Sequence, residues 1–461
     1  MRWLHQRLER LLTSDQFTYP ELRNMFWTLV LDQFFILFIN VLATAMVSSI
    51  GEAAIAAVSM VGIINGMVSL MFTSLASGGG IVVARAKGRA DHEDIRHAIG
   101  EVTGLCCMVA IAFGTLLYIF AEPLVRAIYP DVEPMLITYA VQYMHLMAIS
   151  FIPYSIFAAI FNVFRSLGDT RSSLLLTIVI NVGHLILSML FINGLHLGVS
   201  GSGLSYIVAR SIGMLLALVW LLKVHNEYAV RIRDFFRFRR STTQEIFALG
   251  MPMTLESLLM QGGMLLVQVY LAKLTTTALA AHAVANSMLN LYHTTTGAFN
   301  TMAGTVCGQC YGAQKYDLAR DYCLRLTRIG RIALLLTVLI LFPLTPLLMK
   351  LYHATAEGAP IIYTALAIGA VSLPLWWCDS YLPAMALRVA GDAGFTAVVS
   401  VLALFLGRCV LGYLLTIPLG LGVPGVWIGL SAEWAFRALV LHFRFREKNW
   451  QHLVTVHAAR H

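Results

Sequence analysis

Apolar stretches of eighteen or more residues recur along this chain of 461 residues from one end to the other. A helix needs about 20 such residues to cross the hydrocarbon of a bilayer. Strands cross only as a closed barrel, whose mark is alternation, and these runs are continuously apolar. Charged residues make up 12% of the chain, about half the density of a soluble protein, and the mean hydropathy is +0.75. The expectation is an all-α membrane protein. Its twelve transmembrane helices lie near 24–47, 54–83, 99–120, 134–163, 172–193, 201–222, 246–270, 278–305, 328–349, 360–387, 396–416 and 424–443. Pro153 interrupts the fourth span, and Pro374 and Pro383 interrupt the tenth.

Basic residues then set the orientation. Arg2 to Arg23, Arg85 to Arg96, Arg165 to Arg171, Lys223 to Arg240, Lys315 to Arg331 and Arg444 to Lys448 fall on one side. The opposite loops hold Arg126, Lys273 and Lys350. By the positive-inside rule the rich side is cytoplasmic, and an even number of spans keeps both termini there. The net charge of +8 is therefore a signal of topology in the plasma membrane, and nucleic acid is not an expected partner. Residues 1–23 read as a cytoplasmic amphipathic segment on the membrane surface, without the apolar core of a signal peptide. Residues 24–223 form a first lobe, 224–245 a cytoplasmic linker against anionic headgroups, 246–445 a second lobe and 446–461 a tail. The cysteines Cys106, Cys107, Cys307, Cys310, Cys323, Cys378 and Cys409 lie in spans or on the cytoplasmic side and imply no disulfide framework. "CGQC" (307–310) has no second pair at zinc-site spacing, so no metal is expected.

An internal repeat organises the whole. "AIAAVS" (54–59) returns as "ALAAHA" (278–283), and "RAKGRADHEDIRHAIG" (85–100) parallels "QCYGAQKYDLARDYCL" (309–324), both at a shift of 224. "RSLGDTR" (165–171) returns as "RVAGDAG" (388–394), shifted by 223, and "GVSGSGLSYIVARSIG" (198–213) echoes "GVPGVWIGLSAEWAFR" (422–437), shifted by 224. Duplication of a six-span unit explains one shift at four places. Six is even, so two six-helix bundles related by a pseudo-two-fold axis along the membrane normal are expected, as in parallel-repeat transporters.

Ionisable residues in hydrocarbon are costly, so each one marks a candidate site. Asp32 sits in "TLVLDQFFILFIN" (28–40), and the shift of 224 carries it onto Glu256 in "MPMTLESLLMQ". A buried acid bonded to a hydroxyl or a lysine is the plainer reading of each. Asn40 stands about 12 Å further along the first helix, able to line a cavity or to cap a neighbouring helix. Asp379, between Pro374 and Pro383, faces carbonyls freed by proline, and the preceding tryptophans offer stacking surfaces or lipid-facing bulk. Asn181 and His184 lie in span 5. His184 maps onto Arg408 in span 11, a cation that keeps its proton and reads as a structural brace. Catalytic signals are weak: "GLGVPG" (420–425) has no βαβ context and "SGGGIVVARAKG" (77–88) lacks the ending of a P-loop. The chain reads as no enzyme and without cofactor, driven by an ion gradient or by the substrate's own gradient.

These segments together resemble the multidrug and toxic compound extrusion (MATE) family, within the multidrug/oligosaccharidyl-lipid/polysaccharide exporter superfamily. The carriers are "SSIGEAAIAAVSMV" (48–61), "ARAKGRAD" (84–91), "RSLGDTR" (165–171), "GVSGSGLSYIVAR" (198–210), "CGQCYGAQKYDLAR" (307–320), "RVAGD" (388–392) and "PLGLGVPGVWIGLSAEWAFRA" (418–438). The resemblance implies multidrug efflux: an antiporter exporting bulky, often cationic compounds in exchange for H⁺ or Na⁺ by alternating access. Substrate and coupling-ion candidates are Asp32, Asn40, Asn181, His184, Glu256 and Asp379. The family's helix-1 acid is replaced here by Ala43, and its later helix-5 Asn and Asp fall on His184 and Ser188. Asp32 and His184 then substitute, or coupling moves to the second lobe, or coupling is altered. Expected partners are small organic cations and membrane lipids, and the expected state is a monomer. The alternative is a lipid-linked oligosaccharide flippase of the same superfamily, whose cavity would need several cations for pyrophosphate.

Overall fold

The computed structural model describes residue 9 and residues 12–47, 52–128, 133–224, 226–352 and 354–446, with the side chains of 39–57 outside that set. Twelve long helices follow one another: α1 Tyr19–Val47, α2 Glu52–Arg89, α3 His92–Ile119, α4 Pro134–Ser166, α5 Thr170–Gly194, α6 Gly198–Val224, α7 Arg240–Leu271, α8 276–312, α9 Tyr316–Leu351, α10 Ala359–Val389, α11 Ala393–Thr416 and α12 Val423–Arg446. Eight of the twelve carry an apolar stretch long enough to cross a membrane. The chain is a multi-pass membrane protein. On α9 the residues Ile332, Leu335, Leu336, Leu339 and Ile340 repeat at helical spacing and are all exposed. That stripe is the inverse of a soluble helix and suits hydrocarbon.

Several helices run beyond the expected spans. The third begins at His92 rather than 99, and the ninth at Tyr316 rather than 328. Hydropathy sees only the apolar stretch, whereas a helix continues through charged turns that stand in headgroups or water. Asp91 caps α3 by accepting from the N–H groups of Glu93 and Asp94. Pro153 leaves α4 a single helix. In α10, π-helical turns over Leu373–Trp377 contain Pro374 and pass the chain on to Cys378–Val389. In α11 a longer π-helical stretch, Leu404–Leu411, carries Arg408.

Contacts divide the chain into two compact units, Leu31–Thr254 and Met1–Val30 with Leu255–His461. The boundaries fall inside α1 and α7, not in the 224–245 linker that the sequence marked. In the second unit, the Tyr322 hydroxyl donates to Leu12 O at 2.8 Å and is 2.7 Å from Ser14 Oγ, and Phe26 packs on Phe299. These contacts draw the start of α1 into it. In the first unit, the Thr243 hydroxyl donates to Glu101, and Arg239 N–H donates to the same carboxylate at 3.2 Å.

The repeated "R-x-x-G-D" motif is a turn with a fixed geometry. Gly168 and Gly391 follow α4 and α10 with φ of 83° and 102°, a left-handed conformation that glycine adopts without strain. The next residue then closes the helix, with Asp169 N–H bonded to Phe164 O and Asp392 N–H to Leu387 O, each at 2.9 Å. Asp169 goes on to cap α5 through Ser172 N–H.

The linker docks on α3 through a short 3₁₀ helix, Ile232–Phe236. Asp234 is buried there, bonded to Arg231 N–H and 3.7 Å from Arg96. A Cβ added at Gly104 would lie 1.8 Å from Phe235 O. Gly104→Ala is therefore expected to push the linker off α3, at a cost of about 1–3 kcal/mol. Trypsin should then cut within 231–240 faster than in wild type. Equal cleavage rates would show that the linker does not need this contact.

Candidate functional site

Each unit holds a cavity among its own helices, and the two occupy equivalent places in the repeat. In the first unit, a cavity of about 160 Å³ is bounded by Val58, Gly62 and Asn65 of α2, Tyr143 of α4, His184, Leu185, Ser188 and Ile192 of α5, and Ser202 and Tyr206 of α6. In the second, about 40 Å³ is enclosed by Met264, Val267 and Gln268 of α7, His282 and Asn286 of α8, Arg408 of α11, and Val426, Trp427 and Leu430 of α12. Adding 224 converts Val58 to His282, Gly62 to Asn286, His184 to Arg408, Ser202 to Val426 and Tyr206 to Leu430. No carboxylate lines either cavity among the described residues.

The three expected acids stand elsewhere, each on an arginine. Asp32 is fully buried, and its Oδ2 accepts from Arg165, which opens the "RSLGDTR" motif at the end of α4. Its Oδ1 has no hydrogen-bond partner. Glu256 takes both of its bonds, 2.7 Å each, from Nη2 of Arg388, the residue that opens "RVAGDAG". The two pairs are one pair duplicated, binding first helix to fourth and seventh to tenth. Asp379 accepts from Arg331 in a much more exposed pair. Trp377, expected as a stacking surface for substrate, is buried against Tyr381 with ring centroids 4.8 Å apart.

Asn181 donates back to Thr177 O of its own helix at 2.8 Å and does not line the cavity. His184 does line it. Its ring lies 4.0 Å from that of Tyr206, and its Nε2 is buried without a partner. The side chains of Asn40 and Ala43 lie outside the described residues.

Sequence reasoning passed over the residues that carry the interior charge. Arg210 of α6 is buried, with no acid beside it among the described residues. Glu433 of α12 is wholly buried between Arg408 and Arg437, at 2.7 Å from each. Gly407 makes room for this contact, because a Cβ there would lie 2.6 Å from Glu433 N. The available signal was a Glu and an Arg four apart in the apolar "GLSAEWAFRA", neighbours on one helix face.

Known proteins share this architecture. A crystal structure of MATE in complex with MaD5 superposes with a TM-score of 0.85 over 98% of this chain and 99% of that one, at 17% identity. The uncharacterized transporter YisQ of Bacillus subtilis is 22% identical, covering 92% of this chain and 93% of its own. The probable multidrug resistance protein NorM of Thermotoga maritima is 22% identical over 87% of each. The MatE family model matches residues 29–190 and again 252–414, the same two halves that the internal repeat defines. With twelve helices in two bundles, paired cavities and a family model matched once in each half of the chain, this chain belongs to the MatE family of multidrug and toxic compound extrusion transporters.

Proposed function

We propose that the protein is a secondary active exporter that moves amphipathic compounds out of the cell in exchange for H⁺ or Na⁺ by alternating access, with both termini cytoplasmic. The observation that carries this reading is the pair of repeat-equivalent cavities, one in each six-helix unit. The expected preference for cationic cargo came from the family resemblance, with Asp32, Glu256 and Asp379 as the candidate acids to hold it. With an arginine on each, those carboxylates act first as struts between helices, and the sign of the cargo is set by other groups.

The ion competes with an arginine for its acid. Asp32 is the acid with an oxygen left open to the ion, since Oδ2 is held by Arg165 and Oδ1 is unpartnered. A proton there releases Arg165 and loosens α1 from α4. The cost of freeing that guanidinium falls when water enters with the open state. Glu256 and Asp379 are the alternatives.

Proteoliposomes loaded with a fluorescent amphipathic dye test the reading. Efflux should accelerate under an imposed proton or sodium gradient and stop when that gradient is collapsed. Efflux indifferent to both gradients would overturn it. The flippase reading remains the second one, supported by Arg408 in the cavity wall. Its mark is translocation of a lipid-linked pyrophosphate saccharide without any dye efflux.

A further inference from the structure

We propose that the cavity of the first unit is a seat for a compact organic anion, an aromatic or cyclic body whose carboxylate or phosphate is drawn by Arg210. Naming that anion as cargo rests on the exporter reading, whereas the binding site itself does not.

Among the described residues, Arg210 is held only by neutral groups. Nη1 donates to Ser150 Oγ at 2.6 Å, and Nη2 donates to Ser69 Oγ at 3.2 Å and Asn65 Oδ1 at 3.4 Å. The rings of Tyr154, Tyr206 and Phe151 surround the guanidinium, with centroids 4.4, 5.0 and 5.6 Å from Cζ. The other buried or nearly buried intramembrane arginines described above (Arg165, Arg388, Arg408 and Arg437) each reach a carboxylate. Arg210 has none within ion-pair distance among the described residues, so its charge reaches outward through its neighbours.

Two of those neighbours, Asn65 and Tyr206, are also cavity wall. Because Arg210 engages the oxygen of the Asn65 amide, the nitrogen is left to donate to a guest. His184 adds a buried Nε2 with no partner, a donor in its Nε2–H tautomer, and Ser202 adds a hydroxyl. The site therefore combines hydrogen-bond donors, aromatic faces and a positive charge just behind the wall, with no acid in the lining. Such a set favours an anion and disfavours a cation. A volume of about 160 Å³ suits a body the size of a benzene ring.

The second unit has the same sign by a different route. Arg388, Arg408 and Arg437 share two acids, Glu256 and Glu433, which leaves one positive charge unbalanced near the equivalent cavity. An inside-negative membrane potential favours export of an anion, so the sign of the cavity and the direction of transport agree.

The test is a charge series on purified full-length protein, read by calorimetry with benzoate, phenyl phosphate, benzamide and benzyltrimethylammonium. Benzoate and phenyl phosphate should bind at least tenfold tighter than neutral benzamide, and benzyltrimethylammonium should not bind. In Arg210→Gln the preference for benzoate over benzamide should vanish, and in Arg210→Lys part of it should remain. Should Arg210→Gln fail to fold, the wild-type series still decides. Benzyltrimethylammonium binding as tightly as benzoate would overturn the proposal, as would unchanged benzoate affinity in folded Arg210→Gln. Displacement of benzoate by geranyl pyrophosphate would support the seat and assign the anion to a lipid headgroup; no displacement, with benzoate still bound, would support it and assign the anion to a free acid. The series needs neither membrane nor gradient. A failure of gradient-driven efflux therefore leaves it intact, and the two readings fail separately.

Discussion

Glu433→Gln is expected to destabilise the second unit by about 3–5 kcal/mol, the usual consequence of stripping a buried arginine of its paired carboxylate. Here two arginines lose their partner at once, since Arg408 and Arg437 both lie 2.7 Å from Glu433 and all three are largely or wholly buried. At 2–4 °C per kcal/mol for a unit of this size, the melting temperature in detergent should fall by roughly 6–20 °C. Trp427 and Trp434, both buried on the same helix as Glu433, give a fluorescence readout. Replacing all three charged residues together by Met and Leu should restore most of the loss, because a buried ionic cluster and a well-packed apolar one of similar volume differ little in stability. A melting temperature unchanged in Glu433→Gln would mean that water reaches the cluster and compensates both arginines.

The second large effect separates two acids that the sequence treats alike. Asp32 is 1% exposed and Arg165 is 13% exposed, whereas Asp379 and Arg331 are 28% and 47% exposed. Asp32→Asn leaves a buried guanidinium without its carboxylate and should cost about 3–5 kcal/mol. Asp379→Asn breaks a solvated pair and should cost less than about 1 kcal/mol. Thermal unfolding of the two variants under identical conditions checks the ranking. Equal losses would place the Asp379 pair in as dry an environment as that of Asp32.

Much of the fold was legible in the sequence because bilayer physics writes it in long apolar runs and in a bias of basic residues. The duplication was legible for a different reason: "RSLGDTR" and "RVAGDAG" encode a turn whose glycine must take positive φ, and such a constraint survives in the letters. Helix ends were read short at His92 and Tyr316, where charged turns continue a helix that hydropathy cannot follow. The site was less legible. Asp32 and Glu256 were found because they repeat, yet their partners Arg165 and Arg388 were read only as parts of the repeated turn motif and, for Arg165, as an orientation signal. Nothing in residue spacing joins positions 32 and 165, whose contact exists only once α1 lies against α4. Arg210 escaped for the opposite reason. Its equivalent in the second half is Trp434, so a search for duplicated charges passes over it.

In the proposed mechanism the exchanged ion works through the strut between α1 and α4, with a proton on Asp32 as its first form. The most direct measurement is dye efflux from proteoliposomes under an imposed proton gradient, comparing wild type, Asp32→Asn and Asp379→Asn at matched amounts of folded protein. That mechanism predicts that the gradient accelerates efflux in wild type and in Asp379→Asn but leaves Asp32→Asn at its ungated basal rate. Full acceleration in Asp32→Asn would contradict it, reducing the Asp32–Arg165 pair to a brace with no part in coupling.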